Sequence, residues 1–421
     1  MPAASRNPGK GVPIVGKTKA MKHDYDVAII GAGAAGVGIA HVFKTLGMKR
    51  FTILERHEVG ASFLRWPREM RFISPSFTGN AFGLLDLNAV TPETSPAFTL
   101  EAEHPSGQQY AQYLNLIVEH YRLPVKTGVE VISIEKAGFT PKKRGAAEHS
   151  GFIIKTQDTS LSARFVVWAA GEFQYPHRRG FSGSELCLHN STISSWHTLS
   201  KGTPGSPRNQ DARTELSDKA DANHFIVIGG NESGIDAAIN LSRNGKTVTV
   251  LDRGRAWESS GSDPSNTLAP YTHERLRRAL TANRIELVGK ARVNSVVHKD
   301  GLYTVRATVK KWTSVNPPIL ATGFAGSLTL VETLFAWLDD GYVELTESDE
   351  STLTPGLFVA GPLVRHEGSV FCFIYKFRQR FAVVAKAIAE RLGVDTEPLE
   401  QYRKKQMFLD DLSCCEEECA C

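Results

Sequence analysis

The sequence predicts an α/β fold of two Rossmann-like domains, the second inserted in the first. Three observations predict it. A run of apolar strand, Gly-rich turn, helix and second strand opens at Asp26. The same run recurs at Phe225, about 200 residues later. Between and beyond the two runs lie further apolar strands that end in small residues, at 165–171, 319–324 and 356–362. Strands alternating with helices in this way indicate βαβ units around parallel sheets.

The first run begins with Asp26-Val27-Ala28-Ile29-Ile30, a strand of buried type. Gly31-Ala32-Gly33-Ala34-Ala35-Gly36 follows at once, and an Ala/Val-rich helix opens after it. Phe51-Thr52-Ile53-Leu54 is the next strand, with Glu55 and Arg56 at its end. Gly31 allows the tight turn, Gly33 removes the side chain where a phosphate comes close, and Gly36 lets helix and strand pack. Free N–H groups and the positive dipole end at the helix start favour an anion there. Glu55, 19 residues after Gly36, is placed to accept bonds from ribose hydroxyls. Strand before, helix after and acid at this distance point to a dinucleotide site.

The second run is less regular. Phe225-Ile226-Val227-Ile228 leads into Gly229-Gly230-Asn231-Glu232-Ser233-Gly234. Asn231 stands where the middle Gly would be, and Asn tolerates unusual backbone angles and can bond a phosphate. Thr247-Val248-Thr249-Val250-Leu251 ends at Asp252, 18 residues past Gly234, and Arg253 and Arg255 follow. An acid here suits the free 2′-hydroxyl of NADH, and a nearby Arg suits the 2′-phosphate of NADPH. Both are present, so both cofactors stay open, with a lean to NADPH.

The rest of the chain bounds the alternatives. At 421 residues it exceeds one ordinary domain. The formal charge is +4, but residues 1–23 hold five Lys/Arg and no acid, which leaves the body near −1. The body thus has no bias toward polyanions, and nucleic acid is not an expected partner. No stretch approaches 18 uninterrupted apolar residues, so no membrane span is expected. Residues 1–23 are rich in Pro, Gly and Lys and read as a disordered basic extension; an organelle transit peptide is the other reading, and the Pro and Gly content argues against it. Val125 to Ile134 and Phe152 to Thr156 read as strands of a smaller sheet, and 201–223 as a flexible polar excursion. Four of the six cysteines, Cys414, Cys415, Cys419 and Cys421, lie in the last eight residues, which is no secreted disulfide framework. A reducing, cytoplasmic setting is expected.

With these motifs in place, the chain resembles the two-dinucleotide-binding-domain flavoproteins. That superfamily includes thioredoxin reductases, bacillithiol disulfide reductases and flavin-containing monooxygenases. The resemblance spans residues 25 to about 392 and implies FAD at the first loop and NADPH or NADH at the second. It implies an FAD domain in two parts, 24–180 and 318–400, an NAD(P)H domain at 181–317, and a Cys-rich acidic tail at 401–421. Ala170-Gly171 and Thr322-Gly323 are similar to the paired strand ends where such chains cross between domains. Val131 falls with the FAD residues, as do Gly361 and Pro362 in the late motif. There the family often has Asp, and Pro362 removes that side-chain contact and leaves a backbone one. Gly230 to Asp236 is more similar to monooxygenases and bacillithiol-type reductases than to thioredoxin reductases. Phe181-Ser182-Gly183, His189 and Trp196 resemble the monooxygenase fingerprint loosely, with altered spacing; packing of His189 and Trp196 is the equal alternative.

The route by which electrons leave stays open. The resemblance implies that a disulfide reductase would carry a core CxxC or CxxxxC, and none occurs. Ala34-Ala35 stand where the bacillithiol type places a Cys. Cys187 and Cys372 are single, and Cys372, between Phe371 and Phe373, reads as a small buried hydrophobe. Cys414 and Cys415 could relay electrons outward; with Cys419 and Cys421 they could instead hold a thiophilic metal ion, or the tail could be idle. The neighbouring glutamates raise thiol pKa and favour a bound cation. For transfer to oxygen, residues 60–88 would cover the flavin. Arg65 would neutralise developing charge or orient substrate there, and Trp66 would exclude water; a surface ion pair and a core Trp are the alternatives. The readings are an oxygen-using monooxygenase on a small molecule, a disulfide or metal reductase working through the tail, and a metal-binding or redox-sensing flavoprotein. The resemblance makes a homodimer common.

Overall fold

The computed structural model describes residues 23–78, 85–137, 151–202, 221–259, 267–366 and 369–413. The extension at 1–22, most of the polar excursion (203–220) and the four-cysteine tail (414–421) lie outside the described residues.

The first sheet starts with β1 (Tyr25–Ile30), β2 (Phe51–Leu54), β3 (Val125–Lys126), β4 (Val131–Lys136), β5 (Phe152–Thr156) and β6 (Ser160–Trp168). Val27 to Ile30 are buried in unbroken succession, the pattern of a central parallel strand covered on both faces. β1 pairs in parallel with β2 and with β6, and β3 extends β2. β4, β5 and the start of β6 form an antiparallel meander.

The chain then leaves for a second sheet. β7 (Leu188–His189), β8 (His224–Ile228), β9 (Thr247–Leu251), β10 (Ile285–Val288) and β14 (Ile319–Leu320) run in parallel, in the order β10-β9-β8-β14-β7. Between β10 and β14, β11 (Val293–Lys299), β12 (Leu302–Ala307) and β13 (Lys311–Ser314) make a separate antiparallel sheet. Afterwards β15 (Leu357–Val359) rejoins the first sheet, pairing Leu357 with Val166 and Val359 with Trp168. β6 is long enough for two partners, β5 along its start and β15 along its end.

Helix Ala34–Thr45 covers the first sheet and is buried from Ala34 to Phe43. Helix Phe381–Leu392 packs on it, with Phe381 seated against the Gly38 backbone. Each aliphatic or Phe side chain buried here contributes about 1.5–3 kcal/mol. The helical stretch at 374–392 is divided: Ile374–Phe377, a tight turn at Arg378–Arg380, then Phe381–Leu392.

Two segments carry the chain between the sheets, 171–177 and 321–327. They are tied together, with His177 N donating to Gly323 O at 2.9 Å and Ala325 N to Tyr175 O at 2.8 Å. Among the described residues no helix is long and apolar enough to cross a membrane.

Candidate active site

The first loop begins where β1 ends. Gly31 has φ +103, and a Cβ there would lie 2.7 Å from Ala169 O, so only Gly fits between β1 and the end of β6. A Cβ on Gly36 would lie 1.9 Å from Gly31 O. Gly33 differs from both, because no heavy atom comes within 4 Å of its Cβ position. It is the N-cap of helix Ala34–Thr45, and no side chain caps that helix. The loop therefore turns uncapped helix N–H groups toward open space, which suits a pyrophosphate. Glu55 is buried behind it and accepts from Ala32 N and His57 N, each at 2.8 Å.

The second loop repeats the plan. Gly229 has φ +109 with its Cβ position 2.2 Å from Ala321 O, and a Cβ on Gly234 would lie 1.9 Å from Gly229 O. Asp252 accepts from Gly230 N at 2.9 Å and Gly254 N at 2.7 Å, as Glu55 does at the first loop. The difference is at Asn231, whose side chain accepts from Glu232 N at 3.0 Å and caps its own helix. Glu232 accepts from Ala269 N and Thr272 Oγ1, both at 2.5 Å. Burial pushes its carboxyl up, and the Thr272 and Ala269 bonds oppose this. Arg253 is exposed beside Asp252. Arg179 senses both: burial and Arg253 lower its guanidinium, and Asp252 raises it.

A cavity of about 400 Å³ runs from the first loop to the junction of the two sheets. Of the residues singled out from sequence, Gly31, Gly33, Ala34, Ala35, Glu55, Arg56, Val131, Ala170, Gly171, Glu232, Ser233 and Pro362 line it, and so does Trp66. Gly36 is a packing contact beneath the loop, and Gly361 approaches Ala35, with its Cβ position 3.0 Å from the Ala35 methyl. Gly229, Asn231, Gly234, Asp252 and Arg253 belong to the second loop, outside this cavity. Thr322 bonds His177 O through its hydroxyl, and Gly323 O takes the His177 N–H, so this pair joins the crossing segments rather than lining the cavity.

Arg65 is exposed and does not line the cavity, whereas Trp66 packs on Phe63 and Phe72 at centroid distances of 5.3 and 5.0 Å. The short helix Ala61–Leu64 ends just before them, with Arg65 as its C-cap, and the two adjacent residues then face different ways. His189 is fully buried, with Nδ1 to Ser191 Oγ at 2.8 Å and Nε2 to Gly323 O at 3.1 Å. Trp196 is also fully buried in the second core.

Cys372 departs from its expected place as a buried hydrophobe, because it is half-buried on the cavity wall next to Phe373. Cys187 is buried in the second domain, where burial pushes its thiol up to about 12. Cys414, Cys415, Cys419 and Cys421 lie outside the described residues, and among the described residues no His/Cys/Asp/Glu group fits a metal ion. Sequence reasoning missed Glu172, Gln174 and Asn190, which also line the cavity. The signal for the first two was their position just past the Gly171 strand end. Asn190 had none beyond its place after His189.

The open space over Gly33 and the uncapped helix start fit an FAD pyrophosphate, and the length of the cavity from Glu55 to Phe377 leaves room beyond it.

The sequence pattern of the pyridine nucleotide-disulphide oxidoreductase family matches residues 28–203 and 201–361. An uncharacterised oxidoreductase, CzcO of Bacillus velezensis, is 28% identical over 232 residues, and the match spans 54% of each chain, about half the relative's length. The bacilliredoxin reductase Bdr of Bacillus subtilis is 23% identical over 371 residues, 86% of this chain and 97% of that one. Among solved structures, the bacillithiol disulfide reductase of Staphylococcus aureus superposes with a TM-score of 0.65 at 19% identity, covering 88% of this chain and 99% of that one. A flavin monooxygenase mutant from Stenotrophomonas maltophilia superposes with a TM-score of 0.61 at 16% identity, covering 88% and 100%. At these identities the structures establish the shared fold. The family pattern, matched across both Gly-rich loops, makes this chain a member of the pyridine nucleotide-disulphide oxidoreductase family.

Proposed function

We propose that this protein is an FAD-dependent oxidoreductase that takes hydride from NADPH and passes the electrons to oxygen, acting on a small molecule. FAD supplies the redox chemistry when bound. The chain's own residues bind, orient and exclude water. Residues 31–36 hold the pyrophosphate on the helix N–H groups. Glu55 is placed for a ribose hydroxyl, its position fixed by the two backbone bonds it accepts. Trp66, Phe72, Phe373 and Phe377 make the far wall apolar, which keeps water from a reactive centre. Arg253 and Arg179 beside Asp252 support NADPH, because two cations there complement a 2′-phosphate.

The observation that carries the oxygen reading is the thiol inventory. Among the described residues the cavity wall holds one thiol, Cys372, and the other, Cys187, is held protonated in the second core. A dithiol exit needs two thiols together.

A second reading has its own observation. Leu409 N donates to Gln379 O at 3.0 Å, so the C-terminal segment packs beside the turn that follows Phe377 of the cavity wall. The residues bearing Cys414 and Cys415 follow in sequence, after Ser413, and lie outside the described residues. In this reading those thiols carry electrons to a disulfide, or with Cys419 and Cys421 to a thiophilic metal.

Anaerobic reduction of the yellow protein with NADPH, followed by oxygen, a disulfide panel or metal ions, separates the two. The proposal expects oxygen uptake that is unchanged by Cys414→Ser with Cys415→Ser. Disulfide or metal turnover that vanishes in that double variant would sink it in favour of the second reading. A protein that binds no FAD would sink both.

A further inference from the structure

We propose that the interdomain wall of the cavity is a seat for a protonated amine, with Glu172, Gln174 and Asn190 as acceptors and Phe173 and Phe324 as aromatic faces. The inference rests on the reading that this cavity serves an FAD-dependent oxidoreductase, and it names the substrate class of that site.

Phe324 organises the wall. Its ring lies 5.2 Å from that of Phe173 and 5.3 Å, edge to face, from that of His189. Glu172 and Gln174 flank Phe173 in the chain, and Asn190 follows His189, so each acceptor adjoins a residue of this aromatic cluster. All three acceptors and both Phe rings line the cavity. Asn190 is 4% exposed, and its Oδ1 has no hydrogen-bond partner among the described residues. Gln174 Oε1 is buried without a partner in the same sense. Such acceptors are costly until a donor reaches them, because each forfeits its bonds to water.

Charge selects among donors. Burial raises the Glu172 carboxyl, and Arg365 opposes this. Arg365 is directed elsewhere, because its Nη1 donates to the carbonyls of Pro362 and Val364 at 2.8 Å. A cationic ligand nitrogen would complete the pairing that Arg365 leaves partial. Phe rings facing a cation add attraction through their quadrupoles. A neutral amide, such as a nicotinamide carboxamide, would satisfy Gln174 and Asn190 but would leave the Glu172 carboxylate and the rings unanswered. An ammonium answers all of them.

The test is titration of the FAD-loaded protein with n-hexylamine, n-hexanol, hexanoate and nicotinamide mononucleotide, read by calorimetry and by the shift in bound-flavin absorbance. Hexylamine is expected to bind about tenfold or more tightly than hexanol, the scale of a charge-assisted bond. Glu172→Gln, which keeps the shape, should shrink that gap to about threefold or less. The half-exposed Gln174→Met should narrow it by a smaller factor. Equal binding of amine and alcohol, or a gap that survives Glu172→Gln, would overturn the proposal. So would nicotinamide mononucleotide binding more tightly than the amine and losing that binding in Glu172→Gln. Flavin content and bleaching by NADPH are recorded on the unaltered protein. Their absence removes the oxidoreductase reading, whereas a yellow, NADPH-reducible protein without amine preference removes only the amine seat.

Discussion

In the first loop Gly33 leaves the helix start uncapped, with open space above it, whereas in the second Asn231 fills the same place and bonds Glu232 N. The two loops otherwise coincide. Each opens with a Gly at φ above +100, each pushes that Gly against the carbonyl of an Ala ending a neighbouring strand, and each ties its second residue to an acid. The helices behind them also differ. The first buries a neutral His41 against Tyr402 at 2.7 Å, and the second buries the Asp236–Arg275 ion pair at 2.8 Å. A loop that leaves its N–H groups free is built to keep a ligand. One that caps itself is complete without a ligand and suits a cofactor that comes and goes.

The largest effect expected from this comparison is at the third Gly of each loop. Ala at Gly36 or Gly234 would put a Cβ 1.9 Å from a backbone carbonyl, which has no room to give. Gly36→Ala should yield protein without flavin, while Gly234→Ala should stay yellow and resist reduction by NADPH. Flavin content and anaerobic bleaching measure both, and a colourless Gly234→Ala would break the division of labour.

Next is the buried pair of the second helix. Arg275→Ala leaves Asp236 buried without its cation, which costs about 3–5 kcal/mol and should appear as a lower midpoint in urea. Replacing both, as Asp236→Asn with Arg275→Ala, should recover much of that loss, which a merely bulky role for Arg275 would not permit.

Acid should act through the first helix. Burial holds the His41 imidazole down at about 4, against 6.5 in the free side chain. The neutral form is the folded one, so this contribution is fully present above pH 6.5 and is lost as pH falls toward 4. The loss reaches about 3 kcal/mol at the acid end. Denaturant midpoints at pH 7 and pH 4.5 for the protein and a His41→Gln variant check the sign, because the variant should be less sensitive to acid over that interval.

The smallest effect sharpens the comparison itself. Asn231→Gly removes the self-cap, at a cost of only a few tenths of a kcal/mol, and should change NADPH affinity by no more than a few-fold. The reciprocal Gly33→Asn places a side chain in the open space and should lower flavin retention by a much larger factor. Equal responses in equilibrium dialysis would show that the caps do not distinguish the loops.

Both loops were legible in the sequence because Gly requirements are local: φ above +100 and a carbonyl within 3 Å exclude side chains wherever the chain makes this turn. The paired strand ends at Ala170-Gly171 and Thr322-Gly323 were legible for the same reason, since a strand must stop in small residues where another loop packs on it. Trp66 and Arg65 were not separable in advance. Which of two adjacent residues faces a cavity depends on where a four-residue helix ends, and that is decided by packing on Phe63 and Phe72. Cys372 looked buried beside two Phe residues, but it sits in the segment that leads into helix Ile374–Phe377, half-buried on the cavity wall.

By itself, then, the sequence determined the two βαβ openings, the acids that close them and the absence of a core CxxC or CxxxxC pair ahead of the tail, because each is set by residues within about 25 positions of one another. Only the tertiary structure decided what faces the cavity. Phe173 and His189 meet around Phe324, and no local pattern records an encounter between segments more than 100 residues apart.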